Sequence, residues 1–212
     1  MQQISFLVNN PDSWIIPFLQ LFLKKLSHKY NVSFHTKSEE LPYGDISFYL
    51  GCTLVVPSNI MKRNKLNLVV HASDLPWGRG MSPVSWQILE GKDKIPIVLF
   101  RAVEKLDAGD IYLRDSIHLD GTELLPEIRA KVWKKTEKII LHFLKVWPNI
   151  IPEKQKGAPT FYCKRTDRDD EINPNRTIIE NFNHLRIIDN DRYPAWFTYK
   201  GEKYILKIYK AK

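Results

Sequence analysis

Cysteine is scarce. The 212 residues hold two, Cys52 and Cys163, far apart and with no CxxC or histidine spacing. That argues against a disulfide framework or a zinc site, and for a reducing cytoplasm. Long apolar runs are missing too. None approaches the roughly 20 residues that span a bilayer, so no membrane partner is expected. The opening MQQISFLVNN lacks the basic n-region of a signal peptide and reads as a first strand. There is no internal repeat, no low-complexity tract and no cluster of metal ligands. What the chain does carry is positive charge, a formal net of +8, with 12% aromatics. That balance favours anionic ligands such as phosphates, carboxylates or nucleic acid. A nucleic-acid-binding protein would interleave basic and aromatic residues on one face. No such face is visible outside the scattered tail, so no nucleic-acid partner is expected. The length suits one domain with a full hydrophobic core.

Strand and helix signals alternate. Short apolar runs at residues 4–8, 32–34, 45–50 and 66–70 read as strands. Between the first two lies a helix with Ile15, Leu19, Phe22, Leu23 and Leu26 on one face, and Pro17 in its first turn, where the missing N–H costs little. A short helix is expected from Pro57 to Arg63, and another over residues 83–90 ends at Gly91. Extended stretches at 95–103 and 111–119 precede a long amphipathic helix over about 124–146, its lysines turned to solvent. This order predicts an α/β fold: a largely parallel twisted sheet with helices on both faces. After Trp147 the texture changes, which divides the chain into a catalytic domain (1–147) and a C-terminal extension (148–212). In the extension a connector at 148–156 leads to a short helix around 177–187. Two strands near 196–199 and 204–209 follow, joined at Lys200–Gly201–Glu202 as a β-hairpin.

One stretch asks for a function. HASDLPWGRG (71–80) sets a histidine at the end of an apolar strand, then a loop relieved by two glycines. In a parallel α/β sheet, ligands bind at the carboxyl ends of strands. A second loop, LDAGDI (106–111), brings acidic residues before another strand. A histidine and a carboxylate on adjacent strand ends are what proton transfer beside a developing oxyanion requires. The competing reading is a strand-terminal histidine bonded to a neighbouring loop.

HASDLPWGRGMSP followed by LDAGDI resembles the formyltransferase family that uses N10-formyltetrahydrofolate. That family carries Asn-x-His at a strand end, Ser-Leu-Leu-Pro-x-x-x-Gly, then Leu-Asp-x-Gly-Asp. The resemblance implies the formyltransferase fold and N10-formyltetrahydrofolate as formyl donor, with His71 and Asp107 as catalytic residues. It implies a donor pocket from Thr53, Leu54, Val55, Ser73, Asp74, Leu75, Pro76, Gly80, Val103 and Leu106, and no metal. His71 would stabilise the oxygen of the tetrahedral intermediate. Asp107 would orient His71 and help move the proton from the attacking amine. One position departs from the pattern: Val69 stands where the family has asparagine. Asn67 shares its strand face but sits about 6–7 Å further back at strand rise. A non-catalytic folate-fold binding protein is the alternative this raises.

The flanks point to the acceptor. NNPDSW (9–14) carries no glycine, unlike the phosphate loop of the glycinamide ribonucleotide enzymes, and only about 65 residues follow the core. The tail FNHLRIIDNDRYPAWF (182–197) looks like the sugar-nucleotide N-formyltransferases of the pseudaminic acid pathway type. That resemblance implies a UDP-linked 4-amino-4,6-dideoxy sugar as acceptor, with a TDP-amino sugar or glycinamide ribonucleotide as alternatives. Candidate acceptor contacts are Asn9, Asn10, Ser13, Trp14, Arg165, Arg186 and Tyr193. Helix capping competes for Ser13, a core or lid position for Trp14, and a solvated face for the charges of RTDRDDE. The C-terminal hairpin is a candidate homodimer surface.

Overall fold

Alternation along the first strands decides which side chains meet which helices. The computed structural model describes residues 1–211. In chain order its elements are β1 (Gln3–Leu7), α1 (Ile15–Leu26), β2 (Asn31–His35), β3 (Gly44–Leu50), α2 (Ser58–Met61) and β4 (Asn64–His71). Then come β5 (Arg79–Gly80), α3 (Pro83–Leu89), β6 (Lys94–Arg101), β7 (Ile111–His118) and α4 (Leu125–Val146). The extension adds β8 (Phe161–Tyr162), α5 (Phe182–Arg186), β9 (Ala195–Tyr199) and β10 (Glu202–Leu206).

Six strands form one sheet in the order β2-β1-β3-β4-β6-β7. On β1, β3 and β4 the even-numbered residues Ile4, Phe6, Ile46, Phe48, Leu66 and Leu68 are buried with Leu19 and Phe22 of α1 and Ile140 and Phe143 of α4. Each fully buried aromatic there stabilises the fold by roughly 1.5–3 kcal/mol. The odd-numbered Leu7 and Tyr49 pack on the opposite side with Ile60 of α2, and Val69 packs against that group. Period-two alternation thus sorts the sheet into a large core and a smaller one. The smaller one borders the candidate site.

The four strands from β2 to β4 are parallel, as expected. β6 and β7 are antiparallel to their neighbours. Arg101, at the end of β6, therefore lies opposite Leu68, while His71 at the end of β4 lies opposite Val98. The histidine and the loop after β6 do not leave the sheet side by side; the 102–110 segment has to fold back.

Two expected elements are shorter than read. The helix of the extension is confined to Phe182–Arg186, because Thr177 and Asn181 spend their side chains on local turn bonds. The last strand ends at Leu206; beyond it Asn190 takes both the N–H and the C=O of Ile208. The hairpin itself is present, with Glu202 opposite Tyr199. Nor is 148–156 a free connector. Glu153 and Ile111 exchange two backbone bonds of 2.8 Å, and β8 pairs in parallel with β5. The extension is stitched to the loop that follows His71.

Candidate active site

A cleft of about 1410 Å³ opens beside the ends of β3 and β4. It exceeds the roughly 300–1,000 Å³ typical of a site for one small ligand, so it has room for two. His71 and Asp107 both line it.

His71 is 8% exposed. Its Nε2 lies 2.8 Å from the carbonyl oxygen of Gly78. A carbonyl only accepts, so the neutral ring carries its proton on Nε2. Asp107 Oδ2 lies 3.9 Å from the same nitrogen, beyond hydrogen-bond reach. That carboxylate oxygen instead accepts the backbone N–H of Gly80 at 2.8 Å. The role expected for Asp107 as the orienting partner of His71 is therefore corrected: the Gly78 carbonyl orients the ring. Asp107 is close enough to stabilise an imidazolium through space.

Two glycines make this approach possible. Gly80 has φ of +101°, and a Cβ on it would lie 2.3 Å from the carbonyl oxygen of Tyr162. On Gly109 a Cβ would lie 1.8 Å from the carbonyl oxygen of Arg101. Only glycine lets the β6–β7 loop close this tightly on its own root. Asp107 itself sits at φ +47°, a left-handed conformation uncommon outside glycine. Strain of this kind persists only where the surroundings hold it.

The donor-side candidates divide. Thr53, Leu54, Val55, Gly80, Val103 and Leu106 line the cleft. Leu54 and Val55 are 75% and 53% exposed, and Leu106 is 45% exposed. Two loops thus hold apolar side chains bare along the cleft, which suits contact with the faces of a flat ring system. Ser73, Asp74, Leu75 and Pro76 lie outside that lining. Leu75 is buried with Val98, Phe100 and Ile111. Asp74 pairs with Arg114 at 2.7 Å, and the buried Ser73 hydroxyl has no partner among the described residues. These four shape the loop from beneath.

Acceptor-side candidates divide as well. Trp14, Arg165 and Tyr193 line the cleft. Arg165 is already engaged: its guanidinium bonds the Asp170 carboxylate and the Asp169 carbonyl. Burial lowers its affinity for the proton and raises the Asp170 carboxyl above the usual range. Two cations lie beside it: Lys164, which the sequence offers with Arg165 as a diphosphate contact, and Arg168, which it does not single out. Lys164 and Arg168 line the cleft and have no carboxylate within ion-pair distance among the described residues. Arg129, also in the lining, lies 5.8 Å from the Trp14 ring and 3.0 Å from Asp189. Burial alone would raise the Asp189 carboxyl, but Arg129 and two backbone N–H groups outweigh it and hold it below the usual range. No spacing rule in the sequence marks these residues, which come from separate elements.

Arg186 is a correction. It is 1% exposed, and its Nη2 faces Glu123 at 3.7 Å. A guanidinium enclosed in the fold cannot reach a diphosphate. Asn9, Asn10 and Ser13 also fall outside the lining. Asn9 Oδ1 accepts the Thr53 N–H, Asn10 Oδ1 caps Asp12, and the Ser13 hydroxyl accepts from Ile15. Asn10 and Ser13 spend their side chains on local turn bonds two residues on, ahead of and into the start of α1, and Asn9 braces the 51–55 loop.

Val69 lines the cleft. Asn67 cannot stand in for the absent amide: its oxygen accepts from the Tyr49 hydroxyl at 2.6 Å and its nitrogen donates to the Met61 carbonyl at 2.8 Å.

The region that folds this way, residues 34–144, matches the formyl transferase family. The chain belongs to that family. Among curated relatives, the methionyl-tRNA formyltransferase of Mesoplasma florum is 30% identical over 171 residues, 78% of this chain and 54% of the relative. The chain spans about half the length of the curated relatives it matches. Among solved structures, the methionyl-tRNA formyltransferase from Clostridium thermocellum superposes with a TM-score of 0.83 at 25% identity, covering 100% of this chain and 94% of that one. The 4-N formyltransferase from Francisella tularensis gives 0.78 at 16% identity, covering 100% and 98%. HypX from Aquifex aeolicus, solved in complex with tetrahydrofolic acid, gives 0.80 at 18% identity, covering 98% of this chain and 37% of that one. The formyltransferase fold read from the sequence is the fold observed. The roughly 65 residues after the core do not separate this chain from a tRNA enzyme, because the Clostridium thermocellum chain is of nearly the same extent.

Proposed function

We propose that this family member transfers a formyl group from N10-formyltetrahydrofolate to the amine of a nucleotide-linked amino sugar, in the cytoplasm. The donor half rests on the family and on the bare apolar loops at Leu54, Val55, Val103 and Leu106, which fit a pterin. The folate supplies the formyl group on N10, which the acceptor amine attacks. His71, once protonated or released from Gly78, offers an N–H to the oxygen that gains charge. Asp107, 3.9 Å from that ring, stabilises its charge when protonated and takes the proton that the attacking amine loses, directly or through water; that proton passes on to N10 as the intermediate collapses and the C–N10 bond breaks.

One observation carries the acceptor half: Lys164 and Arg168 line the cleft as cations without carboxylate partners among the described residues, in a lining that also holds Trp14 and Tyr193. Free cations suit a diphosphate and aromatic faces suit a base or sugar. The finer reading is a UDP-linked 4-amino-4,6-dideoxy sugar of the pseudaminic acid type. A homodimer through β9 and β10, where Tyr199, Tyr204 and Ile205 are exposed, belongs to the same reading. The second reading is methionyl-tRNA, favoured by the names of the curated relatives. Incubating the protein with N10-formyltetrahydrofolate and each acceptor separates them. Formylation of the UDP-amino sugar with none of the tRNA is expected; the reverse overturns the sugar reading.

A further inference from the structure

We infer that Gln155 is a positioning residue for Asp107, clamping the loop that carries it against the loop that holds His71. The inference rests on the reading of Asp107 as catalytic. Gln155 comes from the stretch between α4 and β8, and its carboxamide makes three bonds. Nε2 donates to the carbonyl of Asp107 and to that of Gly109, both at 2.8 Å. Oε1 accepts from Nη2 of Arg79 at 2.6 Å. Both N–H donors of the glutamine are spent here, and its carbonyl is engaged by Arg79.

The three partners are the two loops of the site. Asp107 and Gly109 flank the tip of the β6–β7 connection. Arg79 lies between Gly78, whose carbonyl accepts the N–H of His71, and Gly80, whose N–H donates to the Asp107 carboxylate. One amide therefore fixes the backbone of the acid and the side chain that anchors the loop around the histidine. The clamp has something to hold. Asp107 adopts φ +47°, and a loop with a strained residue relaxes unless neighbours over-determine it. Arg79 is 6% exposed, so its bond to Gln155 is shielded from competing water. Gln155 is not part of the cleft lining. It acts through Asp107 and touches no ligand.

The experiment is a double-mutant cycle on the full chain. Formyl transfer from N10-formyltetrahydrofolate is followed with radiolabelled formyl, to the UDP-amino sugar or, should that be inert, to methionyl-tRNA. Gln155→Met keeps the length of the side chain and removes both donors. It is expected to lower kcat about 10- to 100-fold, the effect of a misplacement near 1 Å, with KM for the folate within about twofold. In the Asp107→Ala background the same change is expected to lower kcat no further, since the group it positions is gone. Amides of residues 102–110 should exchange faster with deuterium, while those of β1 and β3 stay protected. Should Gln155→Met fail to fold, Gln155→Glu keeps the Arg79 bond, sets a carboxylate against the two carbonyls, and is expected to show the same loss of kcat. A folded variant with kcat within twofold of wild type overturns the inference. So does a rise in KM alone, or an equal loss of kcat in the Asp107→Ala background. A fully active Asp107→Ala variant would instead overturn the reading of the site itself, and the inference with it.

Discussion

Gly109→Ala tests how tightly the β6–β7 loop must close. The added Cβ would sit 1.8 Å from the Arg101 carbonyl oxygen, against the 3.0 Å that real Cβ contacts respect. The loop must therefore move by at least about 1.2 Å, the difference of those two distances. Three bonds are at stake: Gln155 to the carbonyls of Asp107 and Gly109, and the Arg101 N–H to the Asp110 carbonyl at 2.9 Å. Losing two of them costs about 1 kcal/mol each. Residual overpacking adds about 1–2 kcal/mol, toward the low end of its usual range because the loop is half open to solvent. The sum is about 3–4 kcal/mol. At about 2–4 °C per kcal/mol for a chain of this size, Tm should fall by about 6–16 °C. A shift of about 1 Å at Asp107 should also lower kcat about 10²-fold, measured well below the new Tm so that unfolding does not contribute. The assay pairs thermal unfolding with formyl transfer. A variant that melts within about 1 °C of wild type and turns over within about twofold would show that the close approach is not needed, and the argument from Gly109 would fail.

The remaining expectations concern the site. His71→Ala or Asp107→Ala should each lower kcat by at least about 10²-fold while the far-UV spectrum stays native; near-normal turnover in either removes that residue from the mechanism. Val69→Asn places an amide between the cluster of Leu75, Val98, Phe100 and Ile111 and the cluster that holds Tyr49 and Ile60, and should cost about 1–3 kcal/mol in urea unfolding. Its kcat should stay level or fall, and a tenfold rise would mean that the natural site merely lacks a donor. Burial pushes the Cys52 thiol up to about 11, leaving a thiolate fraction of about 10⁻³ at pH 8. Cys163 is exposed. A thiol reagent at pH 8 should therefore modify Cys163 quickly and Cys52 slowly by mass spectrometry, and prompt double labelling would contradict the burial of Cys52.

The opened glycine loop after β4 and the LDAGDI tip were legible from sequence because each is a property of neighbours along the chain. So were the apolar alternation of β1 and β3 and the helical face of α1. Side-chain period, turn chemistry and missing Cβ atoms act over a few residues, and a local pattern records them. His71 at a strand end belongs to that class. What only the tertiary structure decided are the contacts between distant segments. β6 turns antiparallel to β4, so Asp107 returns to His71 by a folded-back loop and bonds Gly80 instead of the ring. A glutamine in an apparent linker bonds Asp107 across 48 positions and Arg79 across 76. Arg186, polar by type, is enclosed beside Glu123, while Lys164 and Arg168, equally basic, line the cleft. Residue type and spacing are alike in these cases. Whether a cation is buried with a carboxylate or left open to a ligand depends on which surface packs over it, and that is settled only when the whole chain condenses around its core.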